Sequence, residues 1–182
     1  VGGVTVQRAT LHNMEDLERK GINIGDEVVI ERAGDVIPAV VRLEKASENG
    51  KPFHMPTTCP ECDSEVEKNE DEVAHRCTNI ACPAQVKGRL THYVARGAMD
   101  IDGLGVSLIE LLYENGMCRS IADIYRLDRD KLAQLDRLGE KSADNLITAI
   151  EKSKSQPLSR FIFGLAIPFI GKRAAEILAE RY

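Results

Sequence analysis

Hydrophobic and polar positions change rhythm along this chain of 182 residues. Over Gly3–Thr10 they alternate, the two-residue period of a strand with one buried face. Asn13 then stands where a side-chain oxygen can cap a short helix running to Lys20. Asn23-Ile24-Gly25-Asp26 reads as a turn into a second strand, Glu27–Glu31, and a further strand is expected over Val36–Leu43. From Gly88 onward the period lengthens to that of amphipathic helices. Within it a signature recurs: Ile101-Asp102-Gly103-Leu104-Gly105, Leu135-Asp136-Arg137-Leu138-Gly139 and Ile167-Pro168-Phe169-Ile170-Gly171. The final glycines stand 34 and then 32 residues apart, each followed by an apolar stripe: Leu108, Leu111 and Leu112, then Ala143, Leu146 and Ile147, then Ala174, Ala175 and Leu178.

These patterns predict an α+β, multi-domain chain. Strands broken by one short helix suit a partly open, five-stranded OB-type barrel, although the strands present are too few to close it. Arg32-Ala33-Gly34-Asp35-Val36-Ile37-Pro38 joins two strands through a glycine turn. On spacing alone it reads as an ordinary hairpin whose Val36 and Ile37 belong to the core. The C-terminal repeats read as helix-hairpin-helix units, with glycine where the backbone turns sharply and the next helix aiming its free N–H groups outward. A phosphate can sit at such an end. Arg137 and Phe169 replace the earlier glycine in the second and third copies, so the first copy is expected to be the best phosphate site. Lys141, Lys172 and Arg173 follow the hairpin glycines and place positive charge where a nucleic-acid backbone would pass. Helix-packing repeats with ordinary solvated surfaces are the competing reading.

Four of the five cysteines form two close pairs, Cys59-Pro60-Glu61-Cys62 and Cys77-Thr78-Asn79-Ile80-Ala81-Cys82, with fourteen residues between them. Two residues between thiols let one tight turn point both sulfurs at one ion, and a second knuckle completes the tetrahedron that zinc accepts. A closed four-thiolate site leaves no position for water, so the metal is expected to be structural. The loop from Asp63 to Arg76 is mostly charged and too poor in apolar residues for a core of its own, the usual reason a small module needs a metal. Two disulfides or four unrelated buried thiols are the alternatives. His75 reads as a neighbour and not a ligand, and Cys118 as a small apolar residue near a helix end.

Composition adds one conflict. At 43% hydrophobic residues the chain is too apolar for disorder, and it has neither a membrane-length apolar run nor a leader pattern at Val1-Gly2-Gly3-Val4. A cytoplasmic location is expected. The formal charge of −5 argues against nucleic acid, but net charge does not fix its distribution, and backbone N–H groups hold phosphates without any cation.

The order of signals, and the strings Ala9-Thr10-Leu11-His12-Asn13, Arg32–Pro38, Cys59–Cys62 and Ala98–Gly105, resemble bacterial NAD-dependent DNA ligases over essentially the whole chain. The resemblance implies an OB-fold over 1–56, a four-cysteine zinc finger over 57–84 and a helix-hairpin-helix domain over 85–182. It implies that Cys59, Cys62, Cys77 and Cys82 hold structural Zn2+. It also implies that Arg32, Val36 and Ile37 press on the minor groove of nicked duplex DNA without reading sequence, which overturns the bland reading of that turn. Gly103, Gly105, Gly139 and Gly171, with Lys141, Lys172 and Arg173, would grip the backbone. The whole enzyme would transfer AMP from NAD to a lysine and then to the 5′-phosphate at a nick, which the 3′-hydroxyl seals during replication and repair. The Lys-x-Asp-Gly nucleophile has no counterpart in this sequence. The chain is therefore expected to be a DNA-gripping fragment, inactive alone, of an otherwise monomeric enzyme whose missing domains bind NAD and Mg2+. A free-standing zinc and hairpin module that binds DNA without catalysis is the alternative, and a zinc-stabilised scaffold for protein partners is a third.

Overall fold

The computed structural model describes residues 5–32, 37–69, 72–136 and 138–182. The chain divides into two compact units, Val1–Asn79 and Ile80–Tyr182.

In the first unit, helix α1 (Met14–Lys20) starts as expected: the Asn13 side chain accepts the Asp16 N–H at 2.9 Å, and Gly21 closes it at φ 63. Strands β1 (Glu27–Glu31) and β2 (Ala39–Lys45) pair antiparallel, with two irregularities of register. The strand expected from Val36 begins only at Ala39. Pro38 has no N–H for a ladder, and its carbonyl accepts instead from Thr10 at 2.8 Å. Nor is the alternating stretch before Thr10 a strand over its described residues. Thr10 alone bridges to Ala39, because alternation sets the faces of a strand but only a neighbouring edge makes one. Leu17, Ile22 and Val40 form the small core, with Val28, Ile30 and Leu43 packed on it. The Asp26 carboxylate ties the turn before β1 to the end of β2, accepting N–H groups from Ser47 at 2.8 Å and Asn23 at 2.7 Å. These bonds, the one from Ser47 foremost, hold its carboxyl below the usual range. Strands β3 (Val66–Lys68) and β4 (His75–Cys77) form a separate short ribbon.

The second unit is helical. Helix α2 (Pro83–Val94) packs on α3 (Val106–Glu114), α5 (Arg129–Ala133) on α6 (Glu140–Ser153), and α7 (Leu158–Gly164) on α8 (Lys172–Arg181), with short α4 (Ile121–Ile124) between the first two pairs. Its core centres on Leu90, Tyr93, Ile109, Leu112, Ile124, Leu132 and Leu146. Across it runs a hydrogen-bonded chain with no signal in the local sequence. The Tyr93 and Tyr125 hydroxyls meet at 2.8 Å, and the Tyr125 hydroxyl lies 3.2 Å from Ser153 Oγ, which donates to the Ile150 carbonyl at 2.7 Å. Polar groups so deeply placed must be paired to be tolerated. No described helix is long and apolar enough to cross a membrane.

Close packing between α2 and α7 depends on Gly164, where an added Cβ would stand 3.1 Å from Tyr93 Cδ2 and 3.4 Å from Ala98 Cβ. Gly164→Val is therefore expected to destabilise the second unit by about 1–3 kcal/mol through overpacking. A thermal melt of the purified variant checks this, and an unchanged midpoint would mean that the two helices can part at no cost.

Candidate zinc centre and nucleic-acid interface

The cysteine knuckles are built by backbone hydrogen bonds. Cys59 donates its N–H to Ser64 O at 2.8 Å while its carbonyl accepts from Asp63 at 2.9 Å, a turn tight enough to place Asp63 at φ 56. The second knuckle leaves β4, where Thr78 N–H bonds Glu65 O at 3.1 Å, and ends at Cys82, the residue before Pro83 at the start of α2. The result is that the four sulfur atoms lie within 4.8 Å of one another, Cys62 and Cys77 at 3.5 Å. Zinc bound by four thiolates at about 2.3 Å requires sulfur separations of about 3.8 Å, so the donor set fits that ion in number, chemistry and spacing. None of the five cysteines is in a disulfide. Burial, and then the neighbouring thiols of Cys62 and Cys59, push the Cys77 thiol up to about 12, against a hydrogen bond from Asn79 that favours the thiolate. Thiols so crowded ionise together only around a cation. His75 stands apart from this cluster on β4, its Nδ1 buried without a hydrogen-bond partner. Cys118 is buried beyond the end of α3, its Sγ 3.6 Å from Ser120 O, as a small apolar residue would be.

The three repeats of the sequence are three repeats of geometry. In each, the residue before the last glycine donates to a carbonyl three residues back: Leu104 to Ile101 at 3.3 Å, Leu138 to Leu135 at 3.0 Å, Ile170 to Ile167 at 3.0 Å. In each, the glycine carbonyl then accepts the first helical bond, from Ile109, Ala143 and Ala175, all at 3.0 Å. Gly105, Gly139 and Gly171 are thus the N-caps of α3, α6 and α8, and no side chain caps any of these three ends.

One expectation is corrected. The final glycines are not where the chain turns sharply: Gly105, Gly139 and Gly171 have φ between −84 and −79 with ψ near 180°, extended backbone open to any residue. Gly103, at φ 82, makes the turn in the first copy. The turn bonds recur in the two later copies, which lack the earlier glycine. What the N-cap glycines share is emptiness: a Cβ built on any of them meets no atom within 4 Å. Packing does not require glycine there, and its lack of a side chain leaves the first-turn amides approachable from outside.

Lys141, Lys172 and Arg173 are exposed in the first turns of α6 and α8. Arg173 pairs with Glu176 at 3.0 Å, and Lys172 Nζ lies 5.6 Å from the Phe163 ring centre. In the first unit, Arg32 is exposed just after β1 and Ile37 is 72% exposed just before β2. Ile37 is therefore not a core residue, against the hairpin reading of the sequence. Val36, in the same candidate string, lies outside the described residues. Charge divides unequally between the units. Residues 80–182 carry fifteen Lys and Arg against thirteen Asp and Glu, whereas residues 1–79 carry nine against sixteen. The acidity that argued against nucleic acid resides wholly in the first unit.

Residues 1–52 match the NAD-dependent DNA ligase OB-fold domain, and residues 58–84 match the NAD-dependent DNA ligase C4 zinc finger domain. The chain belongs to the NAD-dependent DNA ligase family. Residues 96–152 further match the SAM-like helix-hairpin-helix tandem, which takes in the first two hairpins, while the third is recognised by its repeated geometry. A DNA ligase of Geobacter sulfurreducens is 54% identical over all of this chain, and those of Halalkalibacterium halodurans and Rubrobacter xylanophilus are 50% identical. The chain spans only 28%, 28% and 27% of these ligases.

Proposed function

We propose that this chain is the gripping section of a nick-sealing, NAD-dependent DNA ligase: it holds duplex DNA by its backbone and leaves the chemistry to other parts of the enzyme. In this reading residues 1–56 are the OB-fold, 57–84 the zinc finger and 85–182 the hairpin-helix domain. Cys59, Cys62, Cys77 and Cys82 hold a structural zinc. Amides at the N-termini after Gly105, Gly139 and Gly171, with the turn at Gly103, meet phosphates, and Lys141, Lys172 and Arg173 add charge. Arg32, Val36 and Ile37 would meet the minor groove, where an exposed Ile has an apolar wall to cover. The whole enzyme would use NAD and Mg2+ at domains that this sequence does not contain and act as a cytoplasmic monomer in replication and repair. This section contributes rate only by holding the reacting ends in place.

The observation that carries the proposal is the threefold recurrence of an open, uncapped helix N-terminus in the more basic unit. Such a grip has no sequence preference, and the three cations Lys141, Lys172 and Arg173 predict an affinity that falls about fortyfold between about 50 and 200 mM salt. Gly105→Val tests the amides directly. Valine fits the extended backbone and its Cβ meets open space, so the fold should survive while DNA is held off. We expect about tenfold weaker binding, near the worth of one charge-assisted hydrogen bond, and a similar loss for Gly171→Val because the two ends have the same bonding. Fluorescence anisotropy with nicked and intact duplex across a salt series is the measurement. No salt-dependent binding by the unaltered, zinc-loaded chain would overturn the proposal in favour of a scaffold for protein partners.

A further inference from the structure

The tip of the third hairpin carries a large apolar side chain that contributes nothing to folding. Phe169 is 93% exposed, and Ile167 beside it is 45% exposed. The Phe169 backbone sits at φ 66, where a side chain crowds its own carbonyl. The fold therefore loses twice by having phenylalanine there, once in exposed apolar surface and once in backbone conformation. Strain and exposure that the rest of the structure does not need point outward, to a ligand.

The position has an equivalent. In the first hairpin Asp100 at φ 54 and Gly103 at φ 82 stand five and two residues before Gly105. In the third, Ala166 at φ 53 and Phe169 at φ 66 stand five and two residues before Gly171. The two loops repeat each other residue by residue, so Phe169 occupies the place of Gly103 and faces whatever the following helix end faces. Three and four residues further along the chain, in the uncapped first turn of α8, stand the cations Lys172 and Arg173, a setting that suits a polyanion and offers nothing to an apolar protein surface.

We infer that Phe169 enters the minor groove of the bound duplex and packs on its deoxyribose walls, adding a salt-independent apolar contact where the first hairpin, with Gly103, makes only a close backbone approach. The inference rests on the DNA-gripping reading above. Apolar side chains are common minor-groove contacts, and their contribution is not tied to counterion release.

The test compares the zinc-loaded chain with its Phe169→Gly and Phe169→Leu variants for binding to nicked duplex at several salt concentrations, alongside thermal melts. Glycine takes a positive φ without crowding, so Phe169→Gly should melt no lower than the parent while binding about fivefold more weakly, as expected for the loss of part of one aromatic side chain's burial. The salt slope should not change, and Phe169→Leu should restore most of the affinity. Equal binding by Phe169→Gly, with the parent binding normally, would overturn this inference alone. A loss accompanied by a shallower slope would also overturn it, because the side chain would then act through phosphate contacts. No salt-dependent binding by the parent would remove the underlying reading, and this inference with it.

Discussion

Stripping zinc with a strong chelator, or replacing Cys82 by Ser, is expected to unfold residues 57–84 and lower bound zinc from about one ion per chain to almost none. Between residues 57 and 84 the buried positions among the described residues are Cys59 and Cys82 themselves. The thiols are therefore the core of the module, and β3 and β4, three residues each, cannot stand alone. A structural zinc contributes on the order of 10 kcal/mol to such a fold, more than any hydrogen bond in the knuckles can replace. Helices α2 to α6 share a core that takes no residue from 57–81, so most of the helical circular dichroism should persist. Metal analysis and amide exchange on the same sample check both halves. Protected amides surviving across 57–84 without metal would show that the metal is not what folds the segment.

Local chemistry is what the sequence disclosed best. The spacing of the knuckles anticipated a thiol cluster because two ligands per turn is a local constraint, and Asn13 and the strand Glu27–Glu31 were legible for the same reason. Where a partner far along the chain decides, the pattern fell short. Over the described residues up to Thr10, alternation did not make a strand, because Thr10 alone among them found a neighbour, in Ala39. The hairpins were legible as repeats through their glycines, yet the sequence misplaced what those glycines do. Two of the left-handed positions are held by Asp100 and Ala166, which no glycine marks, and a third by Phe169. The hydroxyl chain from Tyr93 to Ser153 joins residues 32 and 28 positions apart in successive steps, and Gly164 is small because of a ring on α2. Neither leaves a periodic trace. For the candidate site, residue identities were readable, but the emptiness in front of Gly105, Gly139 and Gly171 was not, since it is a property of what lies nearby.

Leu112→Ala should separate holding the fold from holding DNA. Leu112 is fully buried on α3, the helix whose first turn begins after Gly105. Deleting its side chain leaves a cavity in the core of the second unit and is expected to cost about 2–5 kcal/mol. For a unit of this size each kcal/mol lowers the melting midpoint by about 4–8 °C, so the fall should be roughly 10 °C or more. At a temperature well below the lowered midpoint the unit is still folded and the N-terminus of α3 still open, and the affinity for duplex should match the parent. Gly105→Val should do the reverse, keeping the midpoint and losing affinity, because its new side chain projects into empty space that DNA would occupy. Measuring both variants by melting and by binding therefore sets the buried and exposed faces of one helix against each other. If Leu112→Ala lost affinity while still folded, the grip would depend on core rigidity; if Gly105→Val kept it, the open end of α3 would not be where the phosphate sits.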